Sequence, residues 1–265
     1  MRWWNSYTLD TGCWSKWQIG PMELFAQPQS REWIFAWRSR GDPLTETLCI
    51  EVPTTSVPDN ESCDFARFVV GETPSALTLT PRLGNRPFIV RPESPLFLLA
   101  GQNTVLFVST VVWVAACLST DNDEGKPTVL LENPAARPSD TWFGRNTRKG
   151  ELCYASRTNA RIDLAAVARR PHRAVTPVEI RNEGNDMLSI SQLRVPVPAL
   201  SLHQDEDDRL WTDAVRLVRE EGETEASLTV PERSDHLPKG RTLLASPRQP
   251  VESGTIVEAF SRFLG

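Results

Sequence analysis

The chain has 265 residues, of which 40% are hydrophobic and 24% charged, and its formal net charge is -5. The acidic balance argues against nucleic acid as a partner, because phosphate binding needs a concentrated basic face. At this length the chain can build one large domain or two small ones, each with its own core.

The 21 prolines fit many short strands joined by turns better than long helices. The first 40 residues carry Trp3, Trp4, Trp14, Trp17, Trp33 and Trp37. A turn is expected at Gln18-Ile19-Gly20-Pro21, with strands over residues 22–27 and 32–38. In the second strand Trp33, Phe35 and Trp37 share one face. Such a stripe suits a carbohydrate-stacking platform, but sheet packing is the plainer expectation, because aromatics bury large areas.

Strands follow over residues 48–52, 65–70, 76–80, 88–91 and 96–99. Leu77 and Leu79 alternate with Thr78 and Thr80, the pattern of a half-buried strand. Residues 104–118 read as a central strand pair or one long bent strand, too short for the roughly 20 residues of a membrane helix. The polar run 121–126 contains Asp121, Asp123 and Glu124 but lacks the spacing of a calcium loop, so a solvated turn is expected.

Further strands are expected over residues 128–131, 175–180 and 188–195, the last two joined by a hairpin loop at 182–186. Residues 161–167 are ambiguous between strand and a helical turn. Val195-Pro196-Val197-Pro198 reads as an edge or linker, since two prolines remove two ladder donors. Residues 200–203 and 210–216 flank the acidic loop 205–208 as a second hairpin, with a helix over 211–220 as the competing reading. Residues 227–230 form a weak strand, and 234–254 read as irregular. Residues 255–264 read as an amphipathic helix, with Ile256, Ala259, Phe260 and Phe263 on one face. The expected fold is therefore all-β: one or two β-sandwich-like domains with a short C-terminal helix, divided as 1–138 and 139–265 or left as one continuous domain.

Five cysteines, at 13, 49, 63, 117 and 153, include no Cys-x-x-Cys pair. The opening residues lack an apolar core of signal-peptide length, which points to a cytoplasmic home. No Gly-rich phosphate loop, Gly-x-Ser-x-Gly elbow or His-Glu-x-x-His motif is present. The histidines are His172, His203 and His236, and their spacing gives no metal-site cue. No cofactor and no metal are expected.

Recognition chemistry concentrates in residues 140–161. Trp142 offers stacking, Arg145 and Arg157 forked donors, Asn146 an amide, Glu151 an acceptor and Tyr154 a hydroxyl. Gly144 and Gly150 would let a loop take shape, and His172 and Arg173 would extend the surface. The structural alternative pairs Arg157 with Glu151 or Asp140 and uses Trp142 as a plug. A non-enzymatic protein that binds a protein or small molecule here is the leading reading. A hydrolase is the second, using a Cys153–His172 dyad or an Asp140–Glu151 carboxylate pair.

Several short motifs resemble one family of uncharacterised proteins, the domain of unknown function numbered 432. They are Trp17-x-Ile-Gly-Pro, Glu32-Trp33, Trp142-Phe-Gly, Gly150-Glu-Leu-Cys-Tyr-Ala-Ser-Arg, Pro171-His-Arg-Ala-Val-Thr-Pro-Val, Val195-Pro-Val-Pro and Leu210-Trp-Thr. The likeness spans most of the chain. The family has no assigned activity, cofactor or catalytic residue, so the resemblance implies none. A mechanosensitive-type membrane channel is the one partner class that it suggests.

Overall fold

The aromatic-rich opening residues fold as strands whose large side chains turn inward. The structure, a computed structural model, describes residues 2–71, 76–92, 94–118, 127–146, 148–155, 160–222 and 226–250, except the side chains of residues 145 and 146. The loop expected at 121–126 and the helix expected at 255–264 lie outside these residues. The described part is all-β; its helical elements are short 3-10 turns at Leu164–Ala166 and Val197–Ala199. Two units divide the chain. One comprises Met1–Arg82, Val112–Arg137 and Arg170–His172; the other comprises Leu83–Val111, Pro138–Arg169 and Arg173–Gly265.

The first unit contains a five-stranded antiparallel sheet, in the order Leu48–Glu51, Ser15–Ile19, Met22–Pro28, Glu32–Ser39 and Asp64–Val69. A four-stranded antiparallel sheet runs Asn5–Thr8, Ala76–Arg82, Trp113–Leu118 and Thr128–Pro134. The two sheets meet through side chains: the Tyr7 ring stands edge-on to Trp17 at 5.2 Å between centroids. Trp3, Trp17, Trp33 and Phe35 are fully buried beside Leu24, Leu77 and Leu79. Of the aromatic stripe, Trp33 and Phe35 are thus packed in the core and Trp37 is half-buried.

A tight contact fixes one turn of this unit. Ile19 pairs with Met22, leaving Gly20-Pro21 as a two-residue hairpin turn. Gly20 has φ +59°, the conformation a II′ turn requires at its first central residue. The buried His172 imidazole occupies the space a side chain would need: a Cβ on Gly20 would fall 2.2 Å from His172 Nδ1. His172 Nε2 donates to Pro43 O at 3.0 Å, and Trp3 Nε1 donates to the preceding Pro171 O at 2.7 Å.

The second unit is built around Arg173–Asn182. This strand runs antiparallel to Asn103–Val111 on one side. On the other it is parallel to Leu210–Thr212 through residues 174–175, and to Val215–Arg219 through residues 178–182. Pro177 falls in the gap between those two partners. Opposite it, Phe107 directs its own N–H and C=O away, to Arg161. Pro177 therefore faces a non-hydrogen-bonded position on one side and a change of partner on the other, so its missing N–H costs no ladder bond. Leu202–Gln204, Thr242–Ala245 and Ser227–Thr229 complete this sheet. Phe107, Val167, Val175 and Trp211 form a buried cluster, with Leu237 packed against it.

Several sequence expectations are corrected here. The apolar stretch 104–118 divides at Val112. Asn103–Val111 joins the seven-stranded sheet of the second unit, and Trp113–Leu118 joins the four-stranded sheet of the first. Residues 175–180 and 188–195 do not form a hairpin: Leu188–Ile190 pairs with Leu96–Leu98, and Leu193–Val195 pairs with Phe88–Val90. The competing helix over 211–220 is replaced by Leu210–Thr212 and Val215–Arg219, and the irregular segment 234–254 contains the strand Thr242–Ala245. In each case the local pattern was compatible with more than one partner.

Candidate functional site

The run expected as a shaped loop is a β-hairpin, Ser139–Asn146 against Lys149–Ala155. Asp140 pairs with Tyr154, Trp142 with Leu152 and Phe143 with Glu151, and the register shifts between Phe143 and Asn146. The glycines serve close approach at that irregularity. A Cβ on Gly144 would lie 2.2 Å from Lys149 O, and one on Gly150 would lie 2.4 Å from Phe143 O and 2.8 Å from Trp142 Nε1. Neither backbone contact can yield without opening the hairpin. Gly150→Ala should therefore cost about 1–3 kcal/mol, read as a lower urea midpoint; an unchanged midpoint would contradict this packing.

The hairpin belongs to a four-stranded sheet in the order Ser139–Asn146, Lys149–Ala155, Phe88–Val90, Leu193–Val195. Strand alternation gives it two different faces. On one, Phe143, Cys153 and Ile89 form a buried cluster. On the other, the directly opposed Trp142 and Leu152 are 48% and 44% exposed. Because Gly150 has no side chain, the Trp142 indole lies over it, an aromatic cover that supports a glycine in a sheet.

Ion pairs hold both faces. Glu151 accepts from Arg194 through both carboxylate oxygens, the second bond at 3.0 Å from Nη2. The Arg194 side chain is 10% exposed and that of Glu151 38%. Asp140 accepts from Arg86 Nη1 at 2.9 Å. The same guanidinium lies over the Tyr154 ring, 5.1 Å from its centroid. Tyr154 donates its hydroxyl to Asn85 Oδ1 at 3.0 Å and packs on Phe88. Glu151 and Asp140 are thus each paired with an arginine, Arg194 and Arg86; the expected pairing of either with Arg157 falls on residues outside those described. Arg157 lies outside the described residues, as do the side chains of Arg145 and Asn146.

The remaining site residues sit elsewhere. His172 is buried in the first unit against Gly20, and Arg173 is buried with Nη1 donating to Ser109 O at 3.2 Å. Their burial corrects the expectation that they extend an exposed surface. Cys153 is buried, and its thiol is pushed up to about 11, first by burial and then by the Glu151 charge, against a smaller opposing effect of Arg194. A nucleophilic thiol needs the reverse, an exposed electropositive setting. At neutral pH iodoacetamide should label the exposed Cys13 and Cys49 and spare Cys153 in the native protein; early labelling of Cys153 in a peptide mass map would contradict its placement. The carboxylate pair also separates. Asp140 shares the Tyr154 face, Glu151 shares the Phe143 face, and each is already matched to an arginine. Among the described residues no three His, Cys, Asp or Glu side chains converge as a metal site, and no helix is long and apolar enough to cross a membrane.

Sequence reasoning missed Arg86, Asn85, Leu152 and Arg194. Arg86 lies 54 residues before Asp140, and Arg194 lies 43 after Glu151. No local spacing could have joined them.

Fold and hairpin define an all-β protein with an aromatic edge hairpin. The short motifs that run along the chain meet in space: the Trp17–Pro21 turn touches Pro171-His172 through Gly20, and the Gly150–Tyr154 strand is bonded to Arg194. A family model described as protein of unknown function (DUF432) matches residues 3–264, and the chain belongs to that family. No curated protein and no solved structure matches the chain.

Proposed function

We propose that this protein is a non-enzymatic binding module whose contact surface is the hairpin of residues 139–155. The observation that carries the reading is the half-exposed Trp142–Leu152 pair on a hairpin whose other face is packed and ion-paired. A large aromatic held rigidly but left exposed loses little entropy when it is covered, which favours its use as an anchor. A hydrolase reading has less support, since Cys153 is buried with a raised pKa and both carboxylates are engaged. The partner is a protein or a small molecule. A cytoplasmic location is part of the proposal and is supported by five free cysteines. A membrane channel is one form the partner takes under the family resemblance.

Affinity capture from the native cell should recover a partner with the wild type and lose it with Trp142→Ala, Arg145→Ala, provided the variant keeps its unfolding midpoint. Retention of the partner by the folded variant would overturn this placement.

A further inference from the structure

The five-stranded sheet of the first unit ends on Asp64–Val69, which is paired on one side only, to Glu32–Ser39. The phase of that ladder decides which backbone groups point outward. Val70 N donates to Arg31 O, so in the same register Phe68, Ala66 and Asp64 turn their N–H and C=O toward Glu32–Ser39. Phe65, Arg67 and Val69 turn theirs to the open side, and among the described residues nothing bonds to them there. Their side chains share one face, with Phe65 41% and Val69 82% exposed. Other edges of this unit are short or stop at proline: Leu48–Glu51 and Asn5–Thr8 have four residues each, and Thr128–Pro134 ends on Pro134. Edge strands are usually protected by exposed charge, proline or a bulge. Asp64–Val69 has an unbroken register and no proline. Its central charge is cancelled: Arg67 Nε and Nη2 donate to Glu32 Oε2 and Oε1, both at 2.9 Å.

We infer that Asp64–Val69 pairs antiparallel with the same strand of a second copy of this chain, on a two-fold axis through Arg67. The inference is independent of the hairpin reading. A two-fold contact must be complementary to itself, and this strand is. With Arg67 on the axis, Phe65 opposes Val69 of the other copy on the exposed face. Ala66 opposes Phe68 on the face that packs on Phe35, so a small residue meets a large one. The outward N–H and C=O groups of Phe65, Arg67 and Val69 then all find partners. A shift by one residue would set them against groups already bonded within the chain. A shift by two in one direction sets Val69 against Cys63, whose N–H is bonded to Asp59 O; in the other direction it sets Phe65 against Gly71. Arg67 facing Arg67 is the one repulsive contact, since like charges directly opposed weaken a sheet. Each guanidinium is held by its own Glu32, which lies across from Val69 and so off the axis. The charges of the two pairs sum to zero.

The test is sedimentation velocity of the full chain over a range of concentrations, with each variant first checked for an unchanged urea midpoint. Wild type should pass reversibly from monomer to dimer as concentration rises. Val69→Lys, at a position the single chain leaves exposed, should weaken the dimer at least about tenfold. Phe65→Thr, which keeps a strand-forming residue, takes its place if the lysine variant fails to fold. Glu32→Gln should also weaken the dimer, because it leaves both guanidinium groups unmatched at the axis. Leu152→Lys, on the hairpin of the second unit, should leave it unchanged. Arg67→Cys, on the axis, should cross-link two chains on mild oxidation, with the new bond located by peptide mapping. A chain that stays monomeric at every concentration would overturn the inference. So would a dimer indifferent to Val69→Lys and Phe65→Thr, a dimer lost on Leu152→Lys, or one whose Arg67→Cys variant does not cross-link.

Discussion

Gly20→Ala should destabilise the protein by about 2–5 kcal/mol, two physical costs adding. The first is the backbone: at φ +59° an L side chain costs about 1–2 kcal/mol. The second is space. The new Cβ would lie 2.2, 2.6 and 2.7 Å from His172 Nδ1, Cε1 and Cγ. The imidazole cannot swing clear at little cost, because it is buried and its Nε2 is bonded to Pro43 O. Overpacking of this kind costs about 1–3 kcal/mol. Urea unfolding of the four members of a double-mutant cycle separates the terms. In a His172→Ala background Gly20→Ala should retain only the backbone share, about 1–2 kcal/mol. An equal cost in both backgrounds would show that the glycine and the histidine are not in contact.

Glu151→Ala should cost about 3 kcal/mol, whereas Arg194→Met should cost about 1 kcal/mol or less. The pair is unequal in burial: Arg194 is 10% exposed and Glu151 38%. Without the carboxylate a guanidinium is stranded where water reaches it poorly, and its Nη1 has no hydrogen-bond partner among the described residues. Without the arginine the carboxylate can hydrate, and a methionine of similar length fills the space beside Ile89, its cross-strand neighbour. Midpoints from urea titration decide the order. A reversed order would make the carboxylate the more deeply buried partner. The nearby thiol gives a second readout. The Glu151 charge raises the Cys153 pKa and Arg194 lowers it, so Glu151→Ala should lower that pKa and Arg194→Met should raise it.

The candidate site was only partly legible. Its position along the chain, its aromatic anchor and its acceptor were visible as residue types: Trp142, Glu151 and Tyr154 all lie on the hairpin. Gly144 and Gly150 lie within the paired strands of the hairpin rather than in an open loop, and glycine has two uses, conformational freedom and close approach. Composition cannot tell them apart; the distances to Lys149 O and Phe143 O do. His172 and Arg173 looked available because basic residues usually face water. Their burial follows from contacts with Gly20 and Pro43 in one case and Ser109 in the other.

By itself the sequence determined the class of fold and most of the strands. Alternation such as Leu77 and Leu79 against Thr78 and Thr80 states which side of a strand is buried. Gly and Pro mark where strands must stop, as at Gly20-Pro21. The clustered tryptophans announced a core. Only the tertiary structure decided which strands lie side by side. The division of one apolar run at Val112, the split of 188–195 between two sheets, and the joining of Glu151 to Arg194 all depend on it. The physical reason is that side-chain pattern fixes a strand's facing, whereas the backbone groups that pair strands are alike in every residue except proline. Partner choice is therefore settled by the packing of the whole chain. Pro177 is the local exception: its missing N–H restricts what can lie beside it, and the structure places it where the parallel partner changes.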